Sequence, residues 1–139
     1  MKKVLLASIL SLVVLTGCGK KEVITCTQTQ SMMGVSLEAE MKITLEGNHF
    51  KNIDMKVDAN LPESYLDKKD VFVKSFEKSY ANYEKQYGVK PTISQTDKGV
   101  RVTANMTEEQ AVKFSGSANT KATKKEVIET FSKQGYTCE

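Results

Sequence analysis

The sequence predicts an α+β domain: a mainly antiparallel sheet of about five strands, with one long helix and one or two shorter helices packed on it. Three observations carry this. Residues 36–46 alternate apolar and polar side chains, residues 72–87 carry aromatics three and four apart, and hairpin-like segments are segregated from helix-like ones. A period of two belongs to a half-buried strand, and a period near 3.6 to a helix with one apolar face. Strands and helices grouped in this way are the mark of an α+β layer arrangement.

The elements follow in order. Residues 22–30 are threonine-rich and read as a first strand carrying Cys26, closed by a turn over residues 31–34. In the next strand Leu37, Ala39, Met41, Ile43 and Leu45 point one way, and Glu38, Glu40, Lys42, Thr44 and Glu46 the other. Gly47-Asn48 supplies a turn, after which Ile53, Met55, Val57 and Ala59 continue the apolar face with Asp54, Lys56 and Asp58 outward. Phe50 is out of phase with Ile53, which predicts a bulge near Lys51 or Asn52. Leu61-Pro62 ends this meander, and the period then switches. Phe72, Phe76, Tyr80, Tyr83 and Tyr87 fall within about 40° of one line on a helix. A helix over residues 63–87, stopped by Gly88, is the expectation, with its aromatic stripe against the sheet and Tyr83 and Tyr87 the most exposed.

Residues 89–96 and 100–106 then read as a hairpin around Asp97-Lys98-Gly99. Thr107-Glu108-Glu109-Gln110 is a capping box opening a short helix to Phe114, and residues 115–122 are loop. Thr123-Lys124-Lys125-Glu126 opens a second short helix with Val127, Ile128 and Phe131, stopped at Gly135. Tyr136 and Cys138 return to the sheet.

The amino terminus is of another kind. Lys2 and Lys3 precede an apolar run, Val4 to Val14, broken only by Ser8 and Ser11. That run is about half the length of a spanning helix and reads as a signal peptide. Leu15-Thr16-Gly17-Cys18 follows, which resembles a bacterial lipobox. The resemblance implies cleavage before Cys18, diacylation of its sulfur, and stable anchoring through two or more acyl chains. The division expected is residues 1–17 as cleaved lipoprotein signal peptide, 18–22 as lipidated tether and 23–139 as a single α+β domain. The location expected is extracytoplasmic, on the cell membrane or an outer membrane.

Cleavage alters charge and cysteine accounting. Loss of Lys2 and Lys3 takes the basic count from 20 to 18 against 17 acids, so the formal charge falls from +3 to +1. No basic face follows from composition, so nucleic acid is not an expected partner. Gly19-Lys20-Lys21 is either plain linker or a segment whose lysines lean on anionic headgroups. Of three cysteines, Cys26 and Cys138 remain, an even pair in an oxidising compartment. A disulfide between them would join the two ends of the domain; two free thiols are the alternative. No Cys-x-x-Cys redox motif occurs, and the only histidine, His49, has no ligand cluster around it in sequence.

The order of elements resembles the YehR-like bacterial lipoproteins, a family of small envelope proteins of unknown function. Carrying it are Cys18-Gly19, the strand meander, the helix end Tyr83-Glu84-Lys85-Gln86-Tyr87-Gly88-Val89, the Met106-Thr107-Glu108 segment and the close Phe131-Ser132-Lys133-Gln134-Gly135-Tyr136. The resemblance implies an antiparallel sheet with helices packed on it, and no catalytic residues. The Cys26 and Cys138 pair is not part of that family's pattern.

Glu38 with Glu40, and Asp54 with Asp58, share strand faces as acid/base pairs would, but they alternate with lysines as any solvated sheet face does. His49 reads as a solvated turn residue. Phosphate loops, nucleophile elbows and His-Glu-x-x-His are absent from the sequence. Met32-Met33 reads as an adaptable apolar contact in a turn, or less readily as a copper ligand. The expectation is a protein that is not an enzyme, has no cofactor or metal, and meets an envelope protein, peptide or glycan through an exposed sheet face or edge. The alternative is a small-molecule carrier or sensor with a pocket between sheet and aromatic helix. Tyr83 and Tyr87 are the residues expected to form a binding face.

Overall fold

A computed structural model describes residues 21–115 and 121–139. The expected signal peptide, Cys18 as the expected lipid acceptor, and most of the loop before Ala122 lie outside the described residues. Among the described residues there are six strands: β1 (Lys21–Met32), β2 (Val35–Glu46), β3 (His49–Asn60), β4 (Thr92–Thr96), β5 (Gly99–Thr107) and β6 (Thr137–Cys138). They form one sheet in the order β4-β5-β3-β2-β1-β6, each pair antiparallel. Three α-helices accompany it: α1 (Lys69–Tyr87), α2 (Glu108–Ser115) and α3 (Lys124–Lys133). The α+β expectation holds, and the sixth strand is the two-residue return at the carboxyl end. β1 takes in Lys21, one residue before the expected start of the first strand.

The meander is joined by two-residue turns. Met33 and Gly34 have φ of 53° and 81°, and Gly47 and Asn48 have 57° and 62°. Two consecutive positive φ values are the type I′ signature, whose twist matches that of the flanking strands. The first turn is shorter than expected from residues 31–34, because Ser31 and Met32 still pair with Ser36 and Val35. The expected bulge is present. Thr44 faces Asn52 while Leu45 faces Phe50, so Lys51 is the extra residue and Phe50 returns to the apolar face.

That face is the core. Ile24 and Cys26 from β1, Met41, Ile43 and Leu45 from β2, Phe50 and Ile53 from β3, and Met106 from β5 are all buried. α2 adds Ala111, and α3 adds Val127 and Phe131. Full burial of each large aliphatic or aromatic side chain is worth about 1.5–3 kcal/mol, so this cluster is the main stabilising term. α3 is closed at its start by the capping box read from the sequence. The Thr123 hydroxyl accepts from Glu126 N–H at 3.2 Å, and the Glu126 carboxylate accepts from Thr123 N–H at 3.0 Å. Gly99 in β5 sits so close to the Ala59 carbonyl that a Cβ there would collide with it.

The long helix differs from its expected form. Residues 63–68 make a 3-10 turn and the α-helix proper starts at Lys69. Gly88 ends it in the left-handed region, its N–H donating to the Glu84 carbonyl at 2.9 Å. None of the residues of α1 is buried. Its aromatic stripe makes a ladder instead, with ring centroids at 6.2 Å for Phe76–Tyr80, 5.3 Å for Tyr80–Tyr83 and 5.6 Å for Tyr83–Tyr87. The reason lies beneath it. α1 packs chiefly on β4 and β5, and β4 is only five residues long, so little sheet area is available to cover the rings.

Cys26 and Cys138 form a disulfide between directly opposed residues of β1 and β6. Thr25 and Glu139 exchange backbone hydrogen bonds of 3.0 and 2.9 Å beside it. The carboxyl end is thereby fastened to the edge of the sheet.

Candidate binding face

Because α2 and α3 pack on the apolar face, the other face of the sheet carries the polar half of every strand. The pairing register sets these side chains in rows. One row is Glu38, Asp58, Arg101 and Ser94; the next is Thr27, Glu40, Lys56, Thr103 and Thr92; a third is Thr25, Lys42, Asp54 and Asn105. Side chains directly opposite one another on antiparallel strands are close enough to interact, so each row is a chain of contacts.

The rows are internally matched. The Arg101 guanidinium donates from Nε and Nη2 to the two Asp58 oxygens at 2.6 and 3.1 Å, a two-pronged pair. These bonds raise the guanidinium's already high pKa. Lys56 Nζ lies 3.9 Å from Glu40 Oε1. Asn105 Nδ2 donates at 2.6 Å both to Asn52 Oδ1 and to Asp54 Oδ1, and Asn52 Nδ2 donates to Asp54 Oδ2 at 3.2 Å. The face therefore offers fixed acceptors and donors of both signs rather than one dominant charge.

An open trough of about 590 Å³ runs across these rows from β2 to β4. Glu40, Lys42, Asp54, Lys56, Lys90 and Asn105 are among its lining residues. A second cleft of about 220 Å³ continues toward β1 between Thr27, Thr29, Glu38 and Asp58. The carboxylates considered as acid/base pairs are spoken for: Asp58 by Arg101, Asp54 by the two amides, Glu40 by Lys56. Glu38 stands between Thr29 and Asp58 on the same face. This chemistry fits recognition of a polar surface by hydrogen bonding.

The other residues singled out in the sequence lie elsewhere. Tyr83 and Tyr87 are on α1, across the sheet from the trough; Tyr83 is 37% exposed and Tyr87 packs edge-on against Phe114 at 5.8 Å. Tyr80 and Tyr136 both have raised pKa values, from burial first and then from the neighbouring Tyr83, so the helix end and the carboxyl segment converge there. His49 is half-buried at the start of β3 and bridges to Lys121. Met32 and Met33 stand at the tip of the first hairpin, 63% and 91% exposed. Among the described residues no group of three His, Cys, Asp or Glu side chains is placed to hold a metal ion, and no helix is long and apolar enough to cross a membrane.

Arg101, Asn105, Thr103 and Lys90 belong to the face but were not singled out in the sequence. Their signal is the alternation of β5, where Arg101, Thr103 and Asn105 interleave with Val100, Val102, Ala104 and Met106. Lys90 carries no such signal; it joins the trough because the chain turns there into β4.

Compared with protein-family models, with curated proteins and with solved structures, the chain matches none.

Proposed function

We propose that this chain is a membrane-anchored bacterial lipoprotein, acylated at Cys18, whose extracytoplasmic domain is a non-catalytic binding module. The partner is an envelope protein, peptide or glycan, and it is met through the bare polar face of the sheet. The observation that carries this reading is the trough across β2–β4, an open concave surface whose polar groups are held in place by mutual hydrogen bonds. Prearranged polar side chains on strands lose little further freedom on binding, which favours recognition. The Cys26–Cys138 disulfide agrees with an oxidising compartment.

The test is crosslinking of the lipidated protein in cells with an amine-reactive reagent, followed by mass spectrometry. The expected result is a reproducible partner joined through Lys42, Lys56 or Lys90. Absence of any reproducible partner at these lysines, with crosslinks elsewhere, would overturn the assignment to this face.

A further inference from the structure

We infer that the outer edge of β1, over Gln28–Met32, takes up an extended segment of a partner protein as an added strand, with a lysine or arginine of that segment lying over Glu38. The contact is made by main chain at the rim of the sheet, and it rests on neither the trough nor the lipid anchor.

The backbone pattern defines the edge. Thr25 exchanges backbone hydrogen bonds with Glu139, so its N–H and C=O point away from β2. Alternate residues of an antiparallel strand point these groups to the same side, so those of Thr27, Thr29 and Ser31 point outward as well. Thr27 is paired with Thr137 of β6. β6 reaches no further, because the chain arrives from α3 through Gly135 and Tyr136, whose N–H donates to the Phe131 carbonyl at 3.0 Å. Among the described residues no strand pairs with this edge beyond Thr27, and residues 29–32 are all exposed. A row of outward donors and acceptors at strand spacing fits another extended main chain. The same edge already holds one at Thr25–Thr27, the carboxyl segment of the protein itself.

The two rims of the sheet differ. β4, at the other rim, is five residues long and is preceded by Lys90-Pro91. Shortness, proline and lysine are among the usual guards against strand addition. β1 is twelve residues long and has no such guard over Gln28–Met32, which holds neither proline nor charge. Its register with β2 runs there without a bulge, from Gln28 opposite Ala39 to Met32 opposite Val35.

The charge of the occupant follows from the row beside the edge. Thr29 faces Glu38, Glu38 faces Asp58, and Asp58 faces Arg101. Arg101 pairs with Asp58, and in the next row Lys56 pairs with Glu40. Glu38 is exposed and, among the described residues, has no cation. The cleft of about 220 Å³ beside Thr27 and Thr29 is accordingly lined by three carboxylates, Glu38, Glu40 and Asp58, and one lysine, Lys56. Strands lie about 4.8 Å apart, so an added strand runs about 10 Å from the backbone of Glu38, within the joint length of a basic and a glutamate side chain. A second copy of this chain fits less well, because Gln28–Met32 has no basic residue to bring to Glu38.

The test uses the full, oxidised protein and a phage-displayed library of short random peptides. Selected peptides are expected to share a lysine or arginine among strand-forming residues, and to slow amide hydrogen exchange at Thr29 and Ser31 by about tenfold or more. Ser31→Pro removes an outward donor that β2 does not use, a change edge strands tolerate, and is expected to weaken the same peptides at least about tenfold. Glu38→Lys is expected to turn the preference of a repeated selection to an acidic residue. Peptides that bind Ser31→Pro as tightly as the parent, or a library yielding none that protects Thr29 and Ser31, would overturn the edge contact. A basic preference unchanged by Glu38→Lys would overturn the place given to Glu38. Protection confined to β3 and β5 would overturn the edge contact and leave the trough reading standing. Self-association of the chain that Ser31→Pro abolishes, in place of peptide binding, would make a second copy the occupant and overturn the inference.

Discussion

Two of the three helices that cover the sheet, α1 and α3, make opposite use of amphipathicity. α3 has ten residues and buries Val127 and Phe131; α1 has nineteen and buries none. Both carry an apolar stripe, and the stripe of α1 is the richer in aromatics. What differs is the surface beneath. α3 lies over β1 and β6, next to the long central strands, where Phe131 meets the core and Tyr136 at 5.8 Å. α1 lies over the short β4 and the outer part of β5. An amphipathic helix contributes in proportion to the apolar area it finds opposite, not to its own length.

The largest effect should come from unfastening the α3 side. Removing the disulfide, by reduction or by Cys26→Ser/Cys138→Ser, opens a closure of 112 residues. The loop-entropy relation assigns this about 5 kcal/mol, read as the shift in chemical denaturation between oxidised and reduced protein. A result near zero would mean that β6 and α3 hold without the covalent link.

The direct contest comes next. Phe131→Ala should cost about 3–5 kcal/mol, because it empties a buried site. Phe76→Ala on α1 should cost less than about 2 kcal/mol, since its ring is only partly buried. Equal losses in urea denaturation would break the comparison, and would mean that the α1 ladder is as tightly packed as the core. Thr123→Ala, which deletes the α3 cap, should cost about 1 kcal/mol in the same assay.

The smallest effect lies where the two helical regions meet. Burial, then the neighbouring Tyr83, raises the pKa of Tyr80 and of Tyr136, so folding favours their neutral phenols. The sign follows. The stabilisation is fully present below the unfolded value near pH 10 and is lost as pH rises through the raised folded values. Thermal melts should therefore fall in the alkaline range, and Tyr80→Phe/Tyr136→Phe should flatten that fall while leaving neutral pH little changed. An unaltered alkaline slope would separate the two tyrosines from the packing of this junction.

Much of the architecture was legible locally. The alternation from Leu37 to Leu45, the turn at Gly47-Asn48, the phase slip at Phe50 and the Thr123–Glu126 box each lie within a few residues, and backbone sterics with short-range hydrogen bonds decide them. The bare face was half legible. Its outward residues can be read strand by strand, yet the trough depends on β3 lying between β2 and β5, a matter of strand order.

By itself, then, the sequence determined the periods, the turns, the caps, the oddness of the cysteine count and the lipobox-like Leu15-Thr16-Gly17-Cys18. Tertiary structure alone decided that Asp58 meets Arg101, that Asn105 bridges Asn52 and Asp54, and that the aromatic stripe of α1 is only half-buried. The division is physical. A period or a cap is an interaction among neighbours in the chain, whereas burial and charge pairing depend on what surface the rest of the fold brings opposite.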